Sequence, residues 1–241
     1  MYKSNFINNF LKKFKQKKND VIEEMTSEEN KLIENCLKYS MTTRLRMWSL
    51  INSINYVSNK NIKGDFVECG VWKGGNLMLF NFLNQKYKLN KKIYGYDTFE
   101  GMPLPSRFDF KYDGRSALDL YSKRTRSKDG WAKSSFDEVK SNLLTECSLD
   151  NIHLIKGLVE DTLLIKKNLP KKISILRLDT DFYESTKIEL EILFPLLEKD
   201  GILIIDDYGH YKGSRKAVDE YFKKKPFLIY VDHSCRIFIN N

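Results

Sequence analysis

Asp179 and Asp181 follow the run Ile173–Leu178, and Asp206 and Asp207 follow the run Gly201–Ile205. Each pair closes a short apolar stretch that reads as a buried parallel strand. In open α/β sheets the strand ends are where ligands sit. Four carboxylates gathered there repel one another unless a cation or a shared proton compensates. A hard divalent metal such as Mg²⁺, which takes oxygen ligands and leaves positions for substrate, is the simplest compensating cation. Three carboxylates from two neighbouring strand ends could hold it, and a fourth could serve as a general base. The competing reading of either pair alone is a helix cap or a solvated turn. Two pairs on adjacent strand ends weaken that reading jointly.

Two further motifs sit at earlier strand ends. Glu68-Cys69-Gly70-Val71-Trp72-Lys73-Gly74-Gly75 runs from a strand straight into a helix. Glycines there let a ligand approach the backbone and leave helix N–H groups facing it. The spacing is not that of a dinucleotide fingerprint. An acid before the turn suits the sulfonium and ammonium groups of S-adenosylmethionine better than a phosphate. Next, Tyr94-Gly95-Tyr96-Asp97-Thr98-Phe99-Glu100-Gly101 ends in an acid that could accept hydrogen bonds from a ribose diol. Taken alone, Asp97 reads as a turn cap. Paired with the Glu68–Gly75 motif, the ribose role is favoured.

The elements that must position these residues alternate in period. From residue 27 to 58 the apolar spacing is helical, with a break at Met41-Thr42-Thr43. Beyond Gly64, strands are expected at 65–69, 93–97, 152–156, 173–178, 201–205, 227–231 and 235–239. Helices are expected at 75–86, 134–146, 184–198 and 213–224, the third carrying Phe194 and Leu197 into the core. The class is therefore α/β: a doubly wound, Rossmann-like, seven-stranded, mostly parallel sheet with N-terminal capping helices. Asp232-His233-Ser234 is too short a link for a crossover, so one of the last two strands must be antiparallel. Residues 101–133 are polar, lack a period and could arch over the sheet's C-terminal edge. Trp72 reads as core, and His153, His210 and His233 read as surface residues.

Composition limits the function classes. Of the 241 residues 41% are hydrophobic and 30% charged, ordinary for a globular domain. No run reaches the length of a membrane span, and no secretory signal pattern is evident. The four cysteines are scattered without a disulfide or zinc pattern, which suits a reducing cytoplasm. Six lysines in residues 1–18, with no acid among them, account for six of the nine net positive charges. The body is only mildly basic, which argues against nucleic acid. Phe6, Ile7, Phe10, Leu11 and Phe14 make residues 1–18 a candidate basic amphipathic helix. Docking on its own domain or on a sister subunit is favoured over contact with an anionic membrane surface. A homo-oligomer is left open.

In order and spacing these motifs resemble the class I S-adenosylmethionine-dependent methyltransferases and, within them, the macrocin O-methyltransferase family. The resemblance rests on Gly64–Gly75, Asp97–Pro103, Lys156-Gly157, Glu160–Leu163, Leu176–Thr186, Asp206–Gly209 and Arg215–Asp219. It covers roughly residues 40–240. Residues 1–25 are read as a lysine-rich extension, and 26–241 as the methyltransferase domain with a helical cap at 26–60. The resemblance implies a Mg²⁺-dependent enzyme that methylates a sugar hydroxyl of a glycan, polysaccharide precursor or glycosylated metabolite. Carried over residue by residue, it makes Asp179, Asp206 and Asp207 metal ligands and Asp181 the base. Cofactor binding falls to Glu68, Gly70, Gly74, Gly75, Asp97, Thr98 and Asp161. Thr180 stands where a glycine is expected between the two acids. The segment around Met41–Arg44 would cover the site, and residues 105–133 would choose the acceptor. The competing classes are a metal-dependent glycosyltransferase holding a nucleotide sugar through Asp-x-Asp, and a non-catalytic binding homologue.

Overall fold

The computed structural model describes residues 22–126 and 130–241. The amphipathic stretch of residues 1–18 lies outside the described residues. Seven strands form one sheet: β1 (Asp65–Cys69), β2 (Ile93–Asp97), β3 (Ile152–Lys156), β4 (Ile173–Leu178), β5 (Leu197–Ile205), β6 (Ile229–Tyr230) and β7 (Arg236–Ile239). Their order is β3-β2-β1-β4-β5-β7-β6. β1 to β5 pair in parallel, whereas β7 runs antiparallel to both β5 and β6. The chain winds outward from β1 to β3 and then restarts beside β1 with β4. The ends of β1 and β4 therefore flank the switch point, where a crevice opens.

Eight α-helices are described: α1 (Ser27–Cys36), α2 (Arg44–Asn59), α3 (Gly75–Lys86), α4 (Ala117–Arg124), α5 (Phe136–Glu146), α6 (Val159–Thr162), α7 (Tyr183–Leu193) and α8 (Lys212–Tyr221). Strand side chains alternate between the two faces. Phe66, Ile93, Ile175 and Ile204 bury against residues of α1, α2 and α3 such as Ile33, Ile51 and Phe80. Val67, Leu176 and Leu203 bury against Val159, Leu190 and Val218 of α6, α7 and α8. Both faces are dry, which is why these strands read as continuous apolar runs.

Helix starts follow local hydrogen bonding. Thr26 opens α1 with a capping box: Glu29 N–H donates to its hydroxyl at 3.2 Å, and its own N–H donates to Glu29 at 2.8 Å. Thr43 caps α2 through Arg46 N–H at 3.3 Å, so the break expected at 41–43 is where the second cap helix begins. Three expected boundaries shift. The helix expected to reach residue 198 ends at Leu193, because Pro195 follows in a 3₁₀ turn and cannot continue the α-helical hydrogen bonds. Leu197 consequently opens β5, four residues before the expected start, and is buried there. The segment 101–133 is not structureless: it contains α4, capped by Ser116, and Lys111 bridges Tyr211. No described helix is long and apolar enough to cross a membrane.

Candidate active site

The aspartates converge at the ends of β4 and β5, on the β1 side of the sheet. One oxygen each from Asp179, Asp181 and Asp207 lies within 4.8 Å of the others. Burial, together with the negative charge of Asp206 and Asp207, pushes Asp179 well above the usual carboxylate range, against the pull of Arg177. Burial raises Asp181 to about 7. Asp207 is pushed up by burial and by the neighbouring Asp181 and Asp206, and its Oδ2 is buried without a hydrogen-bond partner. Arg177 Nη1 donates to Asp179 Oδ2 at 2.7 Å and compensates part of this repulsion. An orphaned buried oxygen among three convergent acids fits a hard dication.

Asp206, expected among the ligands, stands apart from these three, with both of its oxygens held by arginines. Arg177 Nη2 donates to Oδ1 at 2.5 Å, and Arg46 Nη1 of α2 donates to Oδ2. Burial alone would raise Asp206, but the two guanidiniums outweigh it and hold it below the ordinary range. Strand alternation supplies the reason. Glu68, Arg177 and Asp206 continue the parity of Phe66, Ile175 and Ile204, so they point toward α1–α3, where Arg46 waits. Asp207 points the other way and joins Asp181.

A cavity of about 410 Å³ opens above this cluster. One wall comes from Gly70, Asp97 and Thr98, and a cover comes from Ser40–Thr43 of the helical cap, as expected for that segment. Gly70 has φ +86°, and a Cβ there would overlap the carbonyl oxygen of Asp179. It therefore sets how closely the ends of β1 and β4 approach. Gly70→Ala should destabilise the fold by about 3 kcal/mol through backbone strain and overpacking. A denaturant midpoint equal to that of the wild type would contradict this. Asp97 ties two loops together, accepting from Val71 N–H (2.7 Å), Trp72 N–H (2.9 Å) and Phe99 N–H (2.8 Å). It keeps spare acceptor capacity toward the cavity. Thr98 donates to Gly101 O at 2.7 Å and shapes the same loop.

Four expected cofactor residues lie elsewhere. Glu68 is fully buried and does not line the cavity; Arg177 and Asn76 each donate to its Oε1 at 2.8 Å. Burial raises its carboxyl to about 7. Gly74, at φ +97°, caps α3, and a Cβ on Gly75 would meet Cys36 O at 2.5 Å. Those two glycines permit packing rather than ligand contact. Asp161 is exposed, and its neighbour Glu160 lines the cavity instead.

The opposite wall belongs to the 101–133 segment and its partners. Trp131, Phe182 and Tyr211 pack edge to face, with ring centroids 5.9 and 5.6 Å apart. Arg124 lies 5.0 Å over Trp131 and Lys111 lies 5.9 Å over Tyr211. Trp72 is half-buried and lines the cavity rather than sitting in the core. His210 also lines it, and burial beside Lys111 lowers the imidazole to about 4, so it is neutral at pH 7. Arg46, Arg177 and Glu160 were not foreseen as site residues. The only sequence signal for Arg177 was a charge inside an otherwise apolar strand.

A family model described as Macrocin-O-methyltransferase (TylF) matches residues 3–238, including much of the leading lysine-rich segment. Demethyldecarbamoylnovobiocin O-methyltransferase of Streptomyces niveus is 29% identical over 182 residues, covering 74% of this chain and 66% of its own. The 8-demethyl-8-(2,3-dimethoxy-alpha-L-rhamnosyl)-tetracenomycin-C 4'-O-methyltransferase of Streptomyces olivaceus is 29% identical over 186 residues, covering 76% and 67%. The chain thus spans about two thirds of the length of these curated relatives. The solved structure of the O-methyltransferase NovP superposes with a TM-score of 0.73 at 27% identity, covering 84% of this chain and 82% of that one.

Proposed function

The chain belongs to the macrocin O-methyltransferase family, and we propose that it methylates a sugar hydroxyl of a glycan, polysaccharide precursor or glycosylated metabolite. S-adenosylmethionine would supply the methyl group, and Mg²⁺ would lower the pKa of the hydroxyl. The observation that carries the reading is the convergence of Asp179, Asp181 and Asp207 on the floor of a cavity whose wall is Gly70 and Asp97. A relative named for methylating a rhamnosyl compound supports a sugar acceptor.

Each group then has a task. Asp179 and Asp207 would hold the cation, and Asp181 would take the proton from the hydroxyl. Arg46 and Arg177 neutralise Asp206, which fixes the cap helix α2 over the end of β5. Gly70, Asp97 and Thr98 would hold the methyl donor, whose bound position would orient the methyl group for transfer. Trp131, Tyr211 and Lys111 bound the acceptor side. The family assignment gives no support to the glycosyltransferase reading of Asp-x-Asp.

The test is a panel of sugars, nucleotide sugars and glycosides incubated with methyl-labelled S-adenosylmethionine, with and without Mg²⁺. Label transferred to a sugar oxygen only with the metal supports the proposal. Label on nitrogen or carbon, or transfer indifferent to metal removal, contradicts it.

A further inference from the structure

The turn that carries two of the three clustered acids is strained and needs an anchor. Asp181 has φ +68°, and Phe182 N–H donates to Thr180 O at 2.8 Å, closing a three-residue turn about Asp181. Three-residue turns of positive φ are rare, and a side-chain-bearing residue holds one only where its surroundings over-determine it. Cys69 O accepts from Asp179 N–H at 2.9 Å on one side, and Phe182 packs into the aromatic wall on the other. Between them two side-chain contacts hold it: Arg177 Nη1 donates to Asp179 Oδ2 at 2.7 Å, and the Thr180 hydroxyl lies 3.0 and 3.2 Å from the two carboxyl oxygens of Glu189.

Glu189 is anomalous in its own right. It lies on α7 beside Leu190 and Leu193, in the apolar layer beneath the sheet, and is 0% exposed. Burial pushes its carboxyl well above the usual range. A leucine would fill such a place with less desolvation penalty. What a leucine could not do is accept the Thr180 hydroxyl. The resemblance expects glycine at position 180, which has no hydroxyl to offer. Thr180 and Glu189 thus form a side-chain tether between the turn and α7.

We infer that Glu189 is a positioning residue: through Thr180 it holds the Asp179–Asp181 turn so that both carboxylates aim at one point. The inference rests on the metal-dependent reading above. The tether acts on the carboxylate cluster and leaves the Gly70–Asp97 wall alone.

The test uses the full chain, Mn²⁺ as the probe, and four variants. Thr180→Val and Glu189→Leu remove opposite ends of the tether, Glu189→Gln keeps an acceptor, and the fourth combines the first two. Mn²⁺ affinity is read by electron paramagnetic resonance, S-adenosylhomocysteine affinity by calorimetry, and folding by thermal melting. Thr180→Val and Glu189→Leu should each weaken Mn²⁺ binding about tenfold, with melting and S-adenosylhomocysteine affinity close to wild type. Glu189→Gln should restore Mn²⁺ affinity to within about threefold, and the double variant should be no weaker than either single one. Wild-type Mn²⁺ affinity in both single variants would overturn the inference. So would equal losses in all variants, Glu189→Gln included, that follow melting temperature. A wild-type chain that binds S-adenosylhomocysteine but no Mn²⁺ would instead overturn the metal-dependent reading, and the inference with it.

Discussion

Asp181→Asn is expected to lower kcat by about 10³-fold while leaving the affinity for S-adenosylmethionine close to wild type. The amide keeps the size and the hydrogen-bonding outline of the carboxylate but cannot take a proton from a hydroxyl. Asp181 is suited to that task because burial raises it to about 7, near the working pH, and because it faces the cavity beside Asp179 and Asp207. The cofactor wall of Gly70, Asp97 and Thr98 belongs to other strand ends, so binding there should be spared. Steady-state kinetics with an identified acceptor and a calorimetric titration of the methyl donor check both halves. Full turnover in the variant would remove Asp181 from the mechanism.

The adjacent aspartates Asp206 and Asp207 should fail in different ways. Asp207→Asn removes a member of the cluster and should weaken Mg²⁺ or Mn²⁺ binding by about 10²-fold, while melting changes little or rises as repulsion is relieved. Asp206→Asn instead removes the carboxylate shared by Arg177, which is 2% exposed and keeps Glu68 and Asp179, and by the half-buried Arg46, which keeps Asp232. Breaking one partner of a buried charge pair costs about 3–5 kcal/mol. The expected result is a large drop in denaturant midpoint. Metal titration and chemical denaturation of the two variants separate these outcomes. A metal-binding loss in Asp206→Asn equal to that in Asp207→Asn, without loss of stability, would return Asp206 to the ligand set.

That contrast also shows what a sequence can and cannot disclose here. β1 to β4 were legible to the residue because each is a short run rich in apolar and β-branched or aromatic residues, and the central β4 is buried along its whole length. The antiparallel closing strand followed from the three-residue link at Asp232–Ser234. The order of motifs located the site and its cover at Ser40–Thr43. Within adjacent pairs the placement turns on geometry that no motif states. Which of Asp206 and Asp207 faces the cluster depends on strand parity and on Arg46, a partner 160 residues away. Which of Glu160 and Asp161 enters the cavity depends on the phase of a helix only four residues long. Glu68 was placed on the ligand because its charge suited one. Its partner Arg177 is in register with it across β1 and β4, and claims it first. The strain at Asp181 was invisible too, since glycine alone advertises a positive φ.

The central claim is that this cavity holds a methyl donor beside a divalent-metal site, and calorimetric titration of the full chain with S-adenosylmethionine tests it most directly. Saturable one-site binding of S-adenosylmethionine, retained in Asp181→Asn, is the predicted result. Binding of a uridine diphosphate sugar with none of S-adenosylmethionine would contradict the account.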